Sequence, residues 1–334
     1  MELRKDPITR SWVTAGYDEP VTAAPDVCPL CLSDENGAQP LLVLPPSGPA
    51  QVRVISHPRP LYRIEGKTER VATGVYDRMT PVGAHEIIIE SGDHSQSFAH
   101  MSDEQIERVL DACAIRMADL KRDTRFKYVS AFRNEGMAAG QEWPHPYSQV
   151  VATVFVPRRI LYELRAAREW YADHERCVFC DILRQEEKSG KRVVDSQGDY
   201  VVFCPYASRL PYETWIMGRA HNHQYEAARS GANRGNLAGV LGRTLRRLEQ
   251  VCQAYHLVIH TAPNSLQKKS SLREYWKTIA ADYHWHIEIL PIVPGRTKSY
   301  SLKETYFNDL LPEIAAEQLR QLNTQLPVPS NPRS

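Results

Sequence analysis

The chain has 334 residues, 42% hydrophobic and 24% charged, with 41 Lys+Arg against 40 Asp+Glu, the balance of a soluble globular protein long enough for one large or two medium domains. No basic block marks a nucleic-acid groove, no acidic run marks a disordered tail, and no apolar stretch is long enough to span a membrane. The opening MELRKDPITRSWV lacks the apolar core of a secretion signal, so a cytoplasmic protein is expected.

Seven cysteines are present. Four form two C-x-x-C pairs, Cys28/Cys31 and Cys177/Cys180, and the flanks of both read as proline-containing or polar loop rather than the helix start that a thioredoxin-like pair needs. Cys113, Cys204 and Cys252 sit alone in apolar surroundings and read as small core residues. After the first pair, AHEIIIES (84–91) predicts a strand, and GDHSQSF brings His94. Apolar spacing at Ile106, Val109, Leu110 and Cys113 predicts a helix over about 101–121. The strand KYVSAFRNEG, a Gly-rich turn and the strand HPYSQVVATVFV follow. The second pair leads to strands in YVVFCP and ETWIMG, to His221 in RAHNHQY, and to a helix over about 236–254 spaced by Leu237, Val240, Leu241 and Leu245. The strands of YHLVIHTAP and YHWHIEILPIV then precede a Pro/Ser tail, PVPSNPRS, that reads as frayed.

The two halves have one order: C-x-x-C, strand, His-x-x-x-aromatic, helix, strand, loop, and a strand carrying His-x-(Tyr/His)-x-(Gln/Glu). His94 with Phe98 matches His221 with Tyr225, His145 matches His284, Tyr147 matches His286, and Gln149 matches Glu288. An α+β protein is expected, with antiparallel sheets and flanking helices in two halves, 1–157 and 158–334, related by an internal pseudo-twofold. Each half offers a Cys₂His₂ set: Cys28, Cys31, His94 and His145 in one, Cys177, Cys180, His221 and His284 in the other. That ligand type suits tetrahedral zinc with no position open to water, so two structural zinc ions are expected. His223 is a rival to His221, but only His221 keeps the spacing to an aromatic. His57, His85 and His100 have no repeat partner and read as ordinary surface or core histidines.

With these segments aligned, the chain resembles the galactose-1-phosphate uridylyltransferase family of the histidine-triad superfamily, particularly its bacterial members and ADP-glucose phosphorylase-like proteins. LRKDPITRSWV, CPLC, HEIIIESGDHS, FRNEGMAAGQEWPHPYSQ, CVFCDI, YASRLPYETWIMGRAH, IHTAP and YHWHIEILP carry the resemblance. It implies two fused histidine-triad domains, zinc, a dimer, a nucleotide or nucleotide-sugar ligand contacted by Asn134, and nucleoside-monophosphate transfer through a covalent histidine. Alternation puts 145, 147 and 149 on one strand face, with Gln149 toward a phosphate oxygen, and Gly136 and Gly140 permit close approach of an anion. The family motif is His-Pro-His-x-Gln; here its middle residue is Tyr147, a weak nucleophile unless His85 or Arg133 activates it. The second-half motif keeps His286, either lining the site or acting in a shifted one, with Glu288 less suited to phosphate than a glutamine. GYDEPVTAAPDV lacks the arginines expected after SWV, Gln141 replaces a small or hydroxyl residue, and Leu302, Lys303 and Glu304 replace a glycine-rich segment. The expectation is a zinc-containing nucleotidyltransferase with an altered catalytic residue; the alternative is a non-catalytic nucleotide-binding or regulatory relative.

Overall fold

A computed structural model describes residues 1–16, 28–31, 39–49, 51–227, 234–266, 276–296 and 305–325. Most of GYDEPVTAAPDV, Leu302 to Glu304 and the PVPSNPRS tail lie outside the described residues. In chain order the elements are β1 (Glu2–Lys5), β2 (Trp12–Ala15), β3 (Leu42–Leu44), β4 (Val52–Ser56), β5 (Arg70–Thr73), β6 (Tyr76–Met79), β7 (Gly83–Ile89), α1 (Asp103–Leu120), β8 (Tyr128–Glu135) and β9 (Tyr147–Thr153). They continue with α2 (Arg158–His174), α3 (Val178–Ser189), β10 (Val193–Gln197), β11 (Tyr200–Phe203), β12 (Thr214–Gly218), α4 (Arg234–Leu248), β13 (Ala254–His260), α5 (Ile279–Asp282), β14 (His286–Ile292) and α6 (Pro312–Gln321).

Ten strands form one antiparallel sheet in the order β10-β11-β12-β14-β13-β8-β9-β7-β4-β3, and a small sheet runs β2-β1-β6-β5. The seam of the large sheet is β8 against β13, with Glu135 opposite Tyr255 and Ala131 opposite Ile259. Outward from this seam each half lays down its fourth, fifth, third, second and first strand, the arrangement an internal repeat would produce.

The two faces follow from strand alternation. One is covered by α1 and α4: Ile106, Val109 and Met117 of α1 and Leu237, Val240 and Leu241 of α4 pack on Val54, Ile88, Ala131, Val150, Ile216, Ile259 and Ile287. Each such buried Leu, Ile or Val contributes about 1.5–3 kcal/mol relative to exposure. Ser102 starts α1 by accepting the Gln105 amide. The opposite face is treated differently in the two halves. In the second half, Ile160, Leu164 and Ala167 of α2 and Phe179 and Leu183 of α3 close over Val201, Phe203 and Met217. In the first half no helix covers it among the described residues; Leu30, Cys28, Trp143 and Tyr147 cluster there with Ile55, Ile87 and Ile89.

Two expectations are corrected. The helix expected to reach 254 ends at Leu248, because the Val251 and Cys252 amides turn back onto the Leu248 carbonyl and Ala254 already pairs with β14. The second C-x-x-C is not in a loop: Cys177 is the N-cap of α3 and Cys180 lies in its first turn, with Gly190 in a left-handed conformation closing the helix. As expected, Cys113, Cys204 and Cys252 are buried in the main core.

Candidate functional site

Each Cys₂His₂ set comes together. In the first, Cys31 Sγ lies 3.2 Å from His94 Nδ1 and 3.4 Å from His145 Nδ1, with the two Nδ1 atoms 3.3 Å apart. In the second, Cys180 Sγ lies 3.3 Å from His221 Nδ1 and 3.5 Å from His284 Nδ1. Within each set all four donor atoms fall within 4.8 Å of one another. A tetrahedron with metal–sulfur bonds of about 2.3 Å and metal–nitrogen bonds of about 2.0 Å has S···N edges of about 3.5 Å and N···N edges of about 3.3 Å. Cys31 with His94 and His145, and Cys180 with His221 and His284, therefore already stand at the spacings such an ion requires. His145 Nε2–H donates to the Ser91 carbonyl at 2.9 Å and His221 Nε2–H to the Ala280 carbonyl at 3.0 Å, which leaves each Nδ1 lone pair turned to its quartet. His223 is outside both quartets.

The motif strands lie in rows across the sheet. Gln149, Phe132, Val258 and Glu288 are successive cross-strand partners on β9, β8, β13 and β14. Two residues along on one side, Asn134 on β8 is opposite His256 on β13, and this row continues to Tyr147 on β9. On the other side, His260 on β13 is opposite His286 on β14. Tyr147 and His286 are thus three strand spacings apart, about 14 Å, and displaced in opposite directions along the strands. One phosphate cannot meet both.

Tyr147 is 2% exposed and packs against Trp143. Its hydroxyl accepts the Glu142 amide at 3.0 Å, and burial raises its pKa. The two groups considered as activators are engaged elsewhere. Arg133 donates to the Tyr147 carbonyl, Glu90 and Glu135. His85 Nε2–H donates to Gln149 Oε1 at 2.8 Å, and its Nδ1 accepts the Leu61 amide. His57 stacks on His85 with ring centroids 3.9 Å apart, so both are core histidines, whereas the His100 side chain is 43% exposed. Gly136 has a positive φ of 82°, and a Cβ there would stand 2.9 Å from the Gln253 carbonyl oxygen. Packing against the entry to β13 therefore demands this glycine without any anion. Gln141 Oε1 accepts the Gly136 amide at 2.7 Å, pinning the same turn.

His286 is fully buried, stacked on Trp215 at 4.7 Å and flanked by Phe179 and His260. Its Nδ1–H donates to the His284 carbonyl. Glu288 does not face open space: Oε2 accepts from Arg209 at 2.6 Å and lies 3.5 Å from His260 Nε2. Burial pushes its pKa up, but His260, His286 and Arg209 outweigh this and hold it ionised. Glu163 of α2 completes the group through His260 Nδ1 at 3.1 Å. Glu163, His260, His286 and Glu288 form a third set of donors within 4.8 Å that could hold a metal ion. Glu163 and His260 were missed from sequence. The spacing of His256 and His260 on one strand face was a usable signal for the latter; nothing near Glu163 announced it.

Residues 62–157 match the family model described as galactose-1-phosphate uridyl transferase, N-terminal domain. The chain is 26% identical to the ADP-glucose phosphorylase of Arabidopsis thaliana over 96% of its own length and 93% of that protein's. It is 25% identical to the galactose-1-phosphate uridylyltransferase of Thermotoga maritima over 98% and 100%. Among solved structures, a uridylyltransferase superposes with a TM-score of 0.78 at 25% identity, covering 96% of this chain and 97% of the other. An Arabidopsis thaliana ADP-glucose phosphorylase with bound ADP-glucose has the same fold, with a TM-score of 0.73 at 24% identity and coverage of 97% and 100%. The chain is related to these nucleotidyltransferases and phosphorylases over nearly its full length.

Proposed function

We propose that the chain is a zinc-containing nucleotidyltransferase of the galactose-1-phosphate uridylyltransferase type, acting on a nucleoside diphosphate sugar. It passes the nucleoside monophosphate to a phosphate-bearing acceptor on the half-open face of the first half. The observation that carries this reading is the pair of Cys₂His₂ quartets, one of which pins the strand holding Tyr147 and Gln149 beside Asn134. Relatives aligned end to end are a uridylyltransferase and a phosphorylase, and one relative was solved with ADP-glucose bound to it. Cys28, Cys31, His94 and His145 would hold one zinc, and Cys177, Cys180, His221 and His284 the other. Closed ligand sets of this kind supply rigidity rather than a reactive water. Asn134 and the row around Gln149 would orient the phosphates.

The catalytic arrangement differs from the family motif at Tyr147. Its hydroxyl is protonated at neutral pH, buried and already engaged, and His286 is enclosed by Trp215, Phe179 and His260. The Tyr147 hydroxyl is engaged, and His286 Nε2, though without a hydrogen-bond partner among the described residues, is sealed from solvent. This closure also favours the second reading, a nucleotide-binding relative without turnover. The deciding experiment incubates the protein with [α-³²P]UDP-glucose or [α-³²P]ADP-glucose and with phosphate or a sugar 1-phosphate, and follows products by chromatography. Transfer supports the first reading, and calorimetric binding without transfer supports the second. Absence of both removes the nucleotide assignment. The expected homodimer is tested by light scattering on the same preparation. Among the described residues, no helix is long and apolar enough to cross a membrane.

A further inference from the structure

The row that carries Tyr147 contains an imidazole two strands away. His256 on β13 is opposite Asn134 on β8, on the face of the sheet that also carries Tyr147 and Gln149. Its Nδ1–H donates to Asn134 Oδ1 at 2.9 Å. That bond fixes the tautomer and leaves Nε2 with its lone pair in the ring plane. Among the described residues Nε2 has no partner. Asn134 and His256 are both partly exposed, whereas Tyr147 is 2% exposed and His286 fully buried. An oriented base beside a polar side chain that fixes its tautomer, on an accessible face, is the geometry of an activated nitrogen nucleophile.

We propose that His256 is the nucleophile of this chain, with Asn134 orienting it, so that the reacting phosphorus sits over the β8–β13 seam rather than over β9. The assignment rests on the nucleotidyl-transfer reading above. Nε2 forms a bond to the α-phosphorus while the bond from that phosphorus to the bridging oxygen breaks. The sugar phosphate leaves with the electron pair, and the Nδ1 proton stays on the ring toward Asn134. A phosphate oxygen of the acceptor then attacks the α-phosphorus from the opposite side, and the nitrogen–phosphorus electron pair returns to Nε2. No proton is gained or lost over the two steps, and two inversions give net retention at phosphorus. Burial lowers the His256 pKa, which keeps the ring in the neutral form that attacks.

The test uses full-length protein with [α-³²P]ADP-glucose and [α-³²P]UDP-glucose, quenched in alkali. Wild type is expected to carry alkali-stable, acid-labile label that maps to the peptide containing His256, and Tyr147→Phe is expected to keep it. His256→Gln should fall below a hundredth of wild-type label and transfer. His256→Gly should regain transfer on addition of free imidazole, a rescue that a purely structural histidine would not show. Label in His256→Gln above a tenth of wild type, or no imidazole rescue in a His256→Gly protein that still binds two zinc ions, overturns the assignment. Turnover with inversion and no label, or nucleotide binding with neither label nor turnover, also overturns it. Absence of nucleotide binding, read by calorimetry, overturns the transfer reading as well, so the two failures are distinguishable.

Discussion

Tyr147→Phe removes one oxygen and leaves the ring in place against Trp143, Leu30, Ile87 and Ile89. The lost interaction is one neutral hydrogen bond, from the Glu142 amide at 3.0 Å, worth about 0.5–1.5 kcal/mol. Glu142 is exposed, so water can satisfy the freed amide and the cost stays within that range. An unfolding entropy of about 2.1 cal/mol/K per residue corresponds to about 0.7 kcal/mol per degree for 334 residues. Tm should therefore fall by roughly 1–2 °C. Tyr147→Ala instead empties a pocket in a packed cluster, costs about 3–5 kcal/mol, and should lower Tm by roughly 4–7 °C. Scanning calorimetry gives both values, and radiolabelled transfer under single-turnover conditions gives the functional effect, expected within threefold of wild type for Tyr147→Phe. A hundredfold loss of transfer in Tyr147→Phe, with Tm within 2 °C of wild type, would refute the reasoning, because only a reacting hydroxyl could cost so much for so little stability.

Plasma mass spectrometry should find two zinc ions per chain, falling to one in Cys31→Ser and to one in Cys180→Ser; no change in either would remove the quartet assignment. Arg133 and Glu90 are 2% and 0% exposed and bonded to each other, so Arg133→Met leaves a buried carboxylate with the Ser148 hydroxyl but no cation and should cost about 3–5 kcal/mol. Guanidinium unfolding should show that loss and its partial recovery in Arg133→Met/Glu90→Met; a single variant within 1 kcal/mol of wild type would contradict the pairing. Burial, the His85 ring and Arg59 push the His57 pKa down to about 3. The unfolded chain then binds a proton below about 6.5 that the folded chain refuses, so stability falls as pH drops from 6.5 toward 3. Between pH 7 and 4.5 the His57 contribution is on the order of 2 kcal/mol, and urea midpoints for His57→Asn should fall correspondingly less over that range.

The quartets were legible in the sequence because their ligands come from spacing rules that survive folding: two residues between cysteines, and a fixed offset from a histidine to an aromatic. The rows were legible in part, since alternation alone puts 145, 147 and 149 on one face. Neither rule says which strands become neighbours. Asn134 was read only as a nucleotide contact and His256 not at all, because their pairing depends on the β8–β13 seam, which joins residues more than a hundred apart in the chain. Helix α2 was also missed. Its buried apolar residues are only Ile160, Leu164 and Ala167 in a charged stretch, too thin a stripe to stand out. The flanks of the second cysteine pair read as loop, although Gly190, which ends α3, stands in the sequence as a helix stop.

Helix α2 makes the two halves unequal. With the helix absent, Tyr147 and His286 look like equivalent occupants of one motif position, and a lost histidine in one half seems replaceable by the surviving histidine in the other. With the helix present, Glu163 and Arg159 descend onto the second-half row. There His260, His286 and Glu288 are bound into a buried charged cluster whose members hold one another in place. Opening that row to a phosphate would expose Glu288 to the incoming negative charge and strip Arg209 and His260 from it, breaking a buried ion pair at a cost of about 3–5 kcal/mol before any chemistry began. Among the described residues, the row of Tyr147, Asn134 and His256 has no comparable charged cover. Its Asn134 and His256 are tied by a single neutral hydrogen bond, worth about 1 kcal/mol, and their partly exposed polar atoms can exchange water for ligand cheaply. The difference in cover supports the proposed binding face over the β8–β13 seam.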